Sequence, residues 1–408
     1  MILKETLRDI ITSQRKELPL FEKGVEREIC SQIQLEIPFA LVLSGVRRCG
    51  KSTLLRQLME RLDSFYYLNF EDPRLVSFEV SDFQKLDEVF HEEYGDSEHY
   101  LFDEIQNVQK WELFVRAMLD KKKHFIITGS NASLLSRELG SRLTGRHLRQ
   151  ELFPFSFKES LKLTGEPEGV NSFKKYLVKG GFPEYLKVTL AEVLQELLND
   201  ILMRDIAVRH KLRNVRSIKE MALYLLTNVG KEFSYNSLKR MFNLGSTNSA
   251  ISFVSYLEDS YLLFTIPKFD YSLKKQIINP KKVYSIDNGM SNTNSTSFSE
   301  DKGRMLENTV FQNLRRRHTD IYYFKEKNEC DFVIKEGTKI KQAIQVCYEL
   351  TEDNKEREIK GLTEAMNKFK LNKGLLLTYN QEDLLNIKKK EITIKPVWMW
   401  LLKKHQVK

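Results

Sequence analysis

The sequence predicts an α/β protein with a core on a largely parallel sheet, a helical middle and a second mixed α/β region at its end. Three observations predict this. Short apolar runs at residues 39–45, 64–70, 99–103 and 124–129 are too brief for helices and stop at glycine or polar residues, which marks buried strands. Helical patterns separate them, as where Leu54, Leu55 and Leu58 share one face after the first run. Strands alternating with helices form parallel sheets covered on both sides. Near residue 150 the strand signals stop, helical periodicity runs to about 260, and mixed elements return after about 300.

At 408 residues the chain exceeds one ordinary hydrophobic core, so two or three domains are expected. Hydrophobic residues make up 41% and charged residues 30%, the balance of a globular chain and not a disordered one. The N-terminal stretch is charged throughout and lacks the apolar run of a signal peptide. No stretch approaches the ~18 apolar residues of a membrane helix. The expectation is a cytoplasmic protein without a membrane partner. Cys30, Cys49, Cys330 and Cys347 lack the C-x-x-C spacing of zinc sites, and no disulfide framework is expected. A net charge of +9 suits a nucleic-acid partner without requiring one.

Residues 1–35 read as an amphipathic helix and linker, 36–150 as the core and 151–212 as a helical connector. Within 213–290, two helical segments (233–242 and 246–257) flank a turn at Asn243–Gly245 and precede strand-like residues 262–266, the pattern of a helix–turn–helix with a wing. The polar stretch 291–299 reads as a mobile loop, and 300–408 as a separate α/β domain.

Gly45-Val46-Arg47-Arg48-Cys49-Gly50-Lys51-Ser52 matches the phosphate-binding pattern G-x-x-x-x-G-K-S/T in full, between a predicted strand and a predicted helix. Glycines let the backbone curl around phosphates, and the loop N–H groups together with the helix N-terminus face the negative charge. Residues Gly45 to Thr53 are therefore expected to bind ATP, with Lys51 on the β- and γ-phosphates and the Ser52 hydroxyl on Mg²⁺. Downstream, the apolar run at 100–102 ends in Asp103 and Glu104. A carboxylate at a buried strand end needs a cation, so Asp103 is expected to hold Mg²⁺ and Glu104 to polarise the attacking water. The fourth strand ends near Ser130 and Asn131, expected between the tips of the second and third strands and within reach of the γ-phosphate. Asn69 is a candidate to hydrogen-bond Glu104. Arg142 and Arg146 are either surface arginines or fingers projected into a neighbouring subunit's phosphate site.

The P-loop, residues 102–106, 126–131, 143–146 and 151–159, Gly180–Glu184, Arg204–Ile206, Val283–Gly289, Gly303–Asn308 and Cys330–Val333 together resemble one group of AAA+ ATPases. It is a bacterial and archaeal family usually labelled only as ATP-binding proteins. The resemblance covers nearly the whole chain. It implies an AAA+ core, homo-oligomers and Arg146 as the finger. It also implies a C-terminal region combining a winged helix with a fold similar to restriction endonucleases. Nucleases of the PD-(D/E)xK type place an acid on a helix, an Asp opening a strand and Glu-x-Lys on the next. Here Glu307 and Asp331 fill the first two places. Gln345 and Cys347 stand where glutamate and lysine belong, with Lys341 or Lys325 as possible substitutes. Such a domain is expected to be catalytically silent.

Two functions follow as expectations. The first is an oligomeric Mg²⁺-dependent ATPase acting on DNA or other nucleic acid. The second is a nucleotide-dependent switch or scaffold whose C-terminal domains bind proteins.

Overall fold

The structure, a computed structural model, describes residues 2–129, 143, 145–212, 214–296, 301–387 and 389–403. It divides into two compact units, Met1–Phe153 and Pro154–Lys408.

The first unit is built on β1 (Ala40–Gly45), β2 (Tyr66–Asn69), β3 (His99–Asp103), β4 (His124–Gly129) and β5 (His147–Leu152). Their order is β2-β3-β4-β1-β5, with every pairing parallel. β4 thus lies between β3 and β1, not near the tips of β2 and β3 as expected from the sequence. β5 has no apolar run, because as an edge strand it stays largely half-exposed or exposed until Leu152. β1 is buried along its whole length. The chain leaves β1 for the far edge and returns past it to β5. That reversal opens a crevice at the carboxyl ends of the strands beside β1.

Among the described residues, four α-helices accompany this sheet: α1 (Lys4–Glu17), α2 (Lys51–Met59), α3 (Phe83–Tyr94) and α4 (Trp111–Asp120). α2 buries the predicted Leu54, Leu55 and Leu58. The leading helix α1 is no detached linker. Its Leu7, Ile10 and Ile11 join the same apolar cluster as Leu68, Phe90 and Phe102, and Lys4 pairs with Glu88 on α3 at 2.5 Å.

The second unit begins with α5 (Phe157–Thr164), α6 (Val170–Lys179), α7 (Pro183–Val188) and α8 (Ala191–Asp200). A π-helical stretch (Ile201–Val208) and α9 (Val215–Thr227) follow. Next come β6 (Glu232–Phe233), α10 (Tyr235–Met241), α11 (Thr247–Asp259), β7 (Leu263–Pro267), α12 (Leu273–Ile278) and β8 (Lys281–Ser285). Here β6, β8 and β7 form a small antiparallel sheet in that order. After α13 (Asn288–Asn294) and α14 (Lys302–Arg315) the chain enters a six-stranded mixed sheet. It comprises β9 (Ile321–Lys325), β10 (Glu329–Glu336), β11 (Lys339–Val346), β12 (Lys373–Thr378), β13 (Asp383–Ile387) and β14 (Lys390–Pro396), ordered β13-β14-β12-β11-β10-β9. The helix α15 (Glu352–Lys368) makes the crossover between the parallel strands β11 and β12.

Two distant motifs meet inside this unit. The Asp287 carboxylate accepts the Gly181 N–H at 2.6 Å and caps α13 through the Met290 N–H at 3.1 Å. The Asn288 amide donates to the Leu177 carbonyl and to Thr309 Oγ1 at 2.8 and 2.9 Å. This cap corrects the expected mobile loop: residues 291–294 continue α13, and Ser291 is buried. Backbones approach so closely here that a Cβ on Gly181 would lie 2.1 Å from the Phe155 carbonyl, and one on Gly289 2.1 Å from that of Lys179.

Gly181→Ala and Gly289→Ala should therefore each cost about 1–3 kcal/mol or more of unfolding free energy, the price of overpacking against fixed backbone. Urea unfolding measures it, and two alanine variants as stable as the parent would show that the junction can relax.

Candidate functional site

The P-loop connects the carboxyl end of β1 to α2 through a loop with two left-handed residues, Arg48 (φ 62°) and Gly50 (φ 97°). Gly45 is needed for a different reason: a Cβ there would sit 2.2 Å from the carbonyl of Leu152 on β5. Val46 and Cys49 are fully buried and anchor the loop. Arg47 is half-buried and Arg48 exposed, while Ser52 and Thr53 stand half-buried in the first turn of α2. The buried Lys51 ammonium donates to the carbonyls of Gly45 and Val46 at 3.0 and 3.1 Å, which holds it inside the curl of its own loop. Sequence reasoning missed a brace under this loop. Arg27 is buried and donates to the Cys49 carbonyl at 2.8 Å and to that of Phe153 at 2.7 Å. No motif marks it.

Asp103, at the tip of β3, is buried and hydrogen-bonded by the Thr128 hydroxyl of β4. Burial raises its pKa, against hydrogen bonds from Thr128 and Ser52 and the positive charge of Lys51, while the Glu104 charge adds to the rise. Glu104 follows in a left-handed conformation (φ 51°), a strain that turns it out of the strand. Its N–H donates to Thr128 Oγ1 at 3.0 Å, and its carboxylate accepts from Gln106. Thr128 thus fixes both acids. It is the second residue that no sequence pattern marks, since it lies inside β4 and acts only on the neighbouring strand. The Asn69 side chain accepts from the Glu71 N–H at 2.8 Å, a turn within its own segment, and no hydrogen bond from it to Glu104 is found among the described residues. Ser130, Asn131 and Arg142 lie outside the described residues.

Arg146 immediately precedes β5, and the register pairs Ala40 with His147. It therefore stands at the amino edge of the parallel sheet, whereas the P-loop follows the carboxyl edge. A six-residue strand at about 3.3 Å per residue separates the two by roughly 20 Å. The Arg146 guanidinium forms a surface ion pair with Asp120 at the end of α4.

The second unit holds a buried ionic cluster. Glu307 of α14 and Asp331 of β10 converge as the sequence suggested, but the cation beside them is Lys282 of β8. Its Nζ lies 3.0 Å from Glu307 Oε1, 2.7 Å from Glu329 Oε1 and 3.0 Å from Asp331 Oδ1, and the side chain is 3% exposed. This corrects the expected substitutes. Lys341 is exposed on β11, and Lys325 reaches only the edge of the cluster, through Glu329 and Glu232. The Tyr284 hydroxyl donates to Glu307 Oε1 at 2.6 Å. Gln345 donates to Glu358 Oε2 at 2.7 Å and accepts the Asp331 N–H at 3.3 Å. Burial alone would lower the Lys282 pKa, but the surrounding carboxylates and Tyr284 hold it well above the ordinary lysine range. Among the described residues, no group of three or more His, Cys, Asp or Glu is arranged to hold a metal ion.

A parallel α/β unit with a curled glycine loop at its switch point and two acids at the tip of β3, one strand away, defines a nucleotide-binding P-loop protein. Residues 38–161 match an AAA domain, and residues 170–301 and 302–400 match two domains of unknown function, DUF8612 and DUF4143. The uncharacterized protein MJ1544 of Methanocaldococcus jannaschii is 36% identical over 434 residues, covering 98% of this chain and 96% of its own. An uncharacterized protein of Haemophilus influenzae is 31% identical over 349 residues, or 78% and 85% of the two chains. The chain belongs to this family of AAA+ nucleotide-binding proteins. Among solved structures, AMPPCP-bound DnaA from Aquifex aeolicus overlaps with a TM-score of 0.30 and 15% identity, over 63% of this chain and 89% of that one. PCH-2 of C. elegans overlaps with a TM-score of 0.26 and 12% identity, over 47% and 61%. Overlaps of that size do not establish a common fold. No helix among the described residues is long and apolar enough to cross a membrane.

Removing the Lys282 charge leaves Glu307 and Asp331 buried without their cation, so Lys282→Met should destabilise the protein by about 3–5 kcal/mol. Adding Asp331→Asn should recover part of that loss, and strictly additive losses in urea would refute the coupling. The acids also set a pH dependence. Burial, then the neighbouring Glu307 charge, push Asp331 up to about 7, and burial pushes Asp287 up to about 6. Both bind their proton more tightly folded than unfolded. Stability should therefore be greatest below about pH 4 as far as these two groups are concerned, and fall as pH rises towards about 7. Asp287→Asn should flatten the slope of the urea midpoint between about pH 4 and 6, whatever its effect on absolute stability.

Proposed function

We propose that the chain is a Mg²⁺-dependent ATPase of the AAA+ class that couples turnover to nucleic-acid binding by its second unit. The observation that carries this reading is convergence at one edge of one sheet. The P-loop cradle with Lys51 and the Ser52 hydroxyl sits at the carboxyl end of β1, and the Asp103 carboxylate and Glu104, joined to each other through Thr128, sit at the carboxyl end of β3. Their donor set fits a magnesium nucleotide. The loop curls through the left-handed Arg48 and Gly50, which turns its backbone around a phosphate-sized space, and a hydroxyl and a carboxylate are the oxygen donors that Mg²⁺ prefers. Mg²⁺, when bound, offsets phosphate charge. With a magnesium nucleotide bound, Lys51 would exchange its two loop carbonyls for phosphate oxygens, Ser52 and Asp103 would hold the metal, and Glu104 would orient and polarise water. The family's AAA domain supports the same assignment.

Arg146 lies too far from its own P-loop to act there. Its place on the opposite edge suits an arginine that reaches a second subunit's site, so the reading includes homo-oligomers with Arg146 in trans. In the second unit, α10, α11 and the β7–β8 hairpin have the order of a winged helix. Lys239 and Arg240 are half-buried and exposed at the end of α10, and Asn248 is exposed on α11. Ser246 is occupied as the α11 cap, and Thr247 donates to Asn236 at 2.9 Å, which favours phosphate contacts over base reading at this face. The domain that carries Glu307 on α14 and Asp331 and Gln345 on the six-stranded sheet is read as nuclease-like and catalytically silent because Lys282 fills the space between the acids. A protein scaffold is the second reading, favoured by that sealed cluster.

ATPase activity measured with and without single- and double-stranded DNA and RNA tests the proposal, and stimulation by nucleic acid is expected. Lys51→Ala should abolish tight ATP binding, and Glu104→Gln should retain binding while stopping turnover. Arg146→Ala should slow turnover by about 10³–10⁵-fold with affinity intact, and mixing it with Glu104→Gln subunits should restore part of the activity. Normal hydrolysis by Glu104→Gln would remove the assigned base. A lack of rescue in verified mixed oligomers would remove the trans role. Indifference to every nucleic acid would leave the scaffold.

A further inference from the structure

The segment between β7 and β8 folds onto the edge of the six-stranded sheet. Lys268 bridges to Tyr323, and the Phe269 N–H donates to the Tyr323 carbonyl at 2.7 Å. The turn after it is fixed by Asp270, whose carboxylate accepts the Ser272 N–H at 2.9 Å. This pairing assembles four aromatic rings beside a cleft of about 440 Å³, within the range of roughly 300–1,000 Å³ that suits small ligands or single groups of larger ones. Phe269 is central, and the rings of Tyr271, Tyr322 and Phe369 stand edge-on to it at 5.2, 5.7 and 4.8 Å. Tyr271 remains 77% exposed. The next residues form α12, no residue of which is buried, although Leu273, Ile277 and Ile278 are large and apolar. Exposed apolar side chains grouped this way mark a contact surface.

The charge around the cleft narrows what that contact is. Lys335, Lys339, Lys368 and Lys370 line it against a single acid, Asp270. Lys368 pairs with Glu326 at 2.6 Å, and Lys335 only approaches Asp320, at 4.0 Å. Lys339 and Lys370 are exposed and carry no ion pair among the described residues. Lys335 of β10 and Lys339 of β11 flank one turn, and Lys368 and Lys370 lie at and just past the end of α15, so they offer charge at more than one point around the rings. Aromatic rings flanked by uncompensated cations match a base with phosphates on either side of it. A duplex keeps its bases stacked inside and presents none to such a recess, whereas an unpaired strand does.

We propose that this cleft binds single-stranded nucleic acid, a base resting against Tyr271 and its neighbours and the flanking phosphates meeting Lys339 and Lys370. The proposal rests on the nucleic-acid reading above but uses a surface separate from the α10–α11 face. It is tested on the full-length protein by fluorescence anisotropy with labelled oligo(dT), oligo(rU) and a DNA duplex. Tyr271→Ala should weaken oligonucleotide binding about 5- to 100-fold, the effect of losing one stacked base, while Tyr271→Phe binds normally. Lys339→Ala with Lys370→Ala should reduce the slope of log affinity against log salt by about 1.4, because each single-strand phosphate left without its lysine removes about 0.7. Basal ATPase and duplex binding should not change, which also shows that the variants fold. Unaltered oligonucleotide affinity in Tyr271→Ala overturns the proposal while leaving the ATPase and duplex readings standing. Equal competition by free thymidine monophosphate also overturns it, in favour of a mononucleotide site. So does loss of self-association in Ile277→Asp with Ile278→Asp at unchanged oligonucleotide affinity, in favour of a second copy. Absence of binding to any nucleic acid would refute the underlying reading as well.

Discussion

A parallel sheet buried on both faces confines polar chemistry to the ends of its strands, and the first unit is organised around that constraint. Asp103 marks it most clearly. Its carboxylate lies almost fully inside the protein, where an unpartnered charge would be costly. Thr128 from the adjacent strand supplies a hydroxyl donor, and the same oxygen accepts the Glu104 N–H. One threonine therefore sets the tip of β3, the direction of its acid and the strained turn that carries the next. β4 can do this only because it lies between β3 and β1. The same insertion brings the P-loop, at the end of β1, across one strand from the acids.

The second unit answers burial of charge in a different way. Asp287 is satisfied by backbone N–H groups where two chain segments approach too closely for any side chain on Gly181 or Gly289. Lys282 is satisfied by three carboxylates. A buried cluster of this kind contributes less to net stability than to definition, because desolvation consumes most of the Coulombic gain while any single deletion leaves an uncompensated charge. It fixes β8, and with it the small three-stranded sheet, against α14 and β10 of the larger one. The position between Glu307 and Asp331 is then closed to another cation by the chain's own ammonium.

The legible parts of the sequence were those where local pattern and global role coincide. The four apolar strands, the Leu54–Leu58 face and the P-loop each carry their cause within a few neighbouring residues. β5 does not, since His147–Leu152 is polar and becomes a strand only by pairing with β1. The stretch 291–294 looked like loop because its serines and asparagines are turn formers, yet Asp287 caps it into a helix and tertiary contacts bury its start. Arg27, Thr128 and Lys282 were invisible for a common reason. Each acts across more than twenty residues of sequence on a partner that only the fold brings near, and none belongs to a spaced motif. Lys341 and Lys325 were the substitutes the sequence suggested, but charge compensation depends on distance in space, and the amine comes from Lys282 of β8.

The same geometry separates the P-loop from Arg146. Lys51, Ser52, Asp103 and Glu104 lie within a single unit. Arg146 shares that unit but not that edge. A parallel sheet gives every strand the same direction, so a residue ahead of β5 is at the amino edge while the P-loop is at the carboxyl edge, and no side chain spans a strand's length. Its pairing with Asp120 is exposed and weak, as surface ion pairs are, and is easily exchanged for a stronger anion. An arginine displayed at the edge opposite its own phosphate site has no catalytic use in a monomer. If it has one, copies must pack with the amino edge of one core against the carboxyl edge of the next. Such head-to-tail contact is heterologous and closes into a ring or continues as a filament.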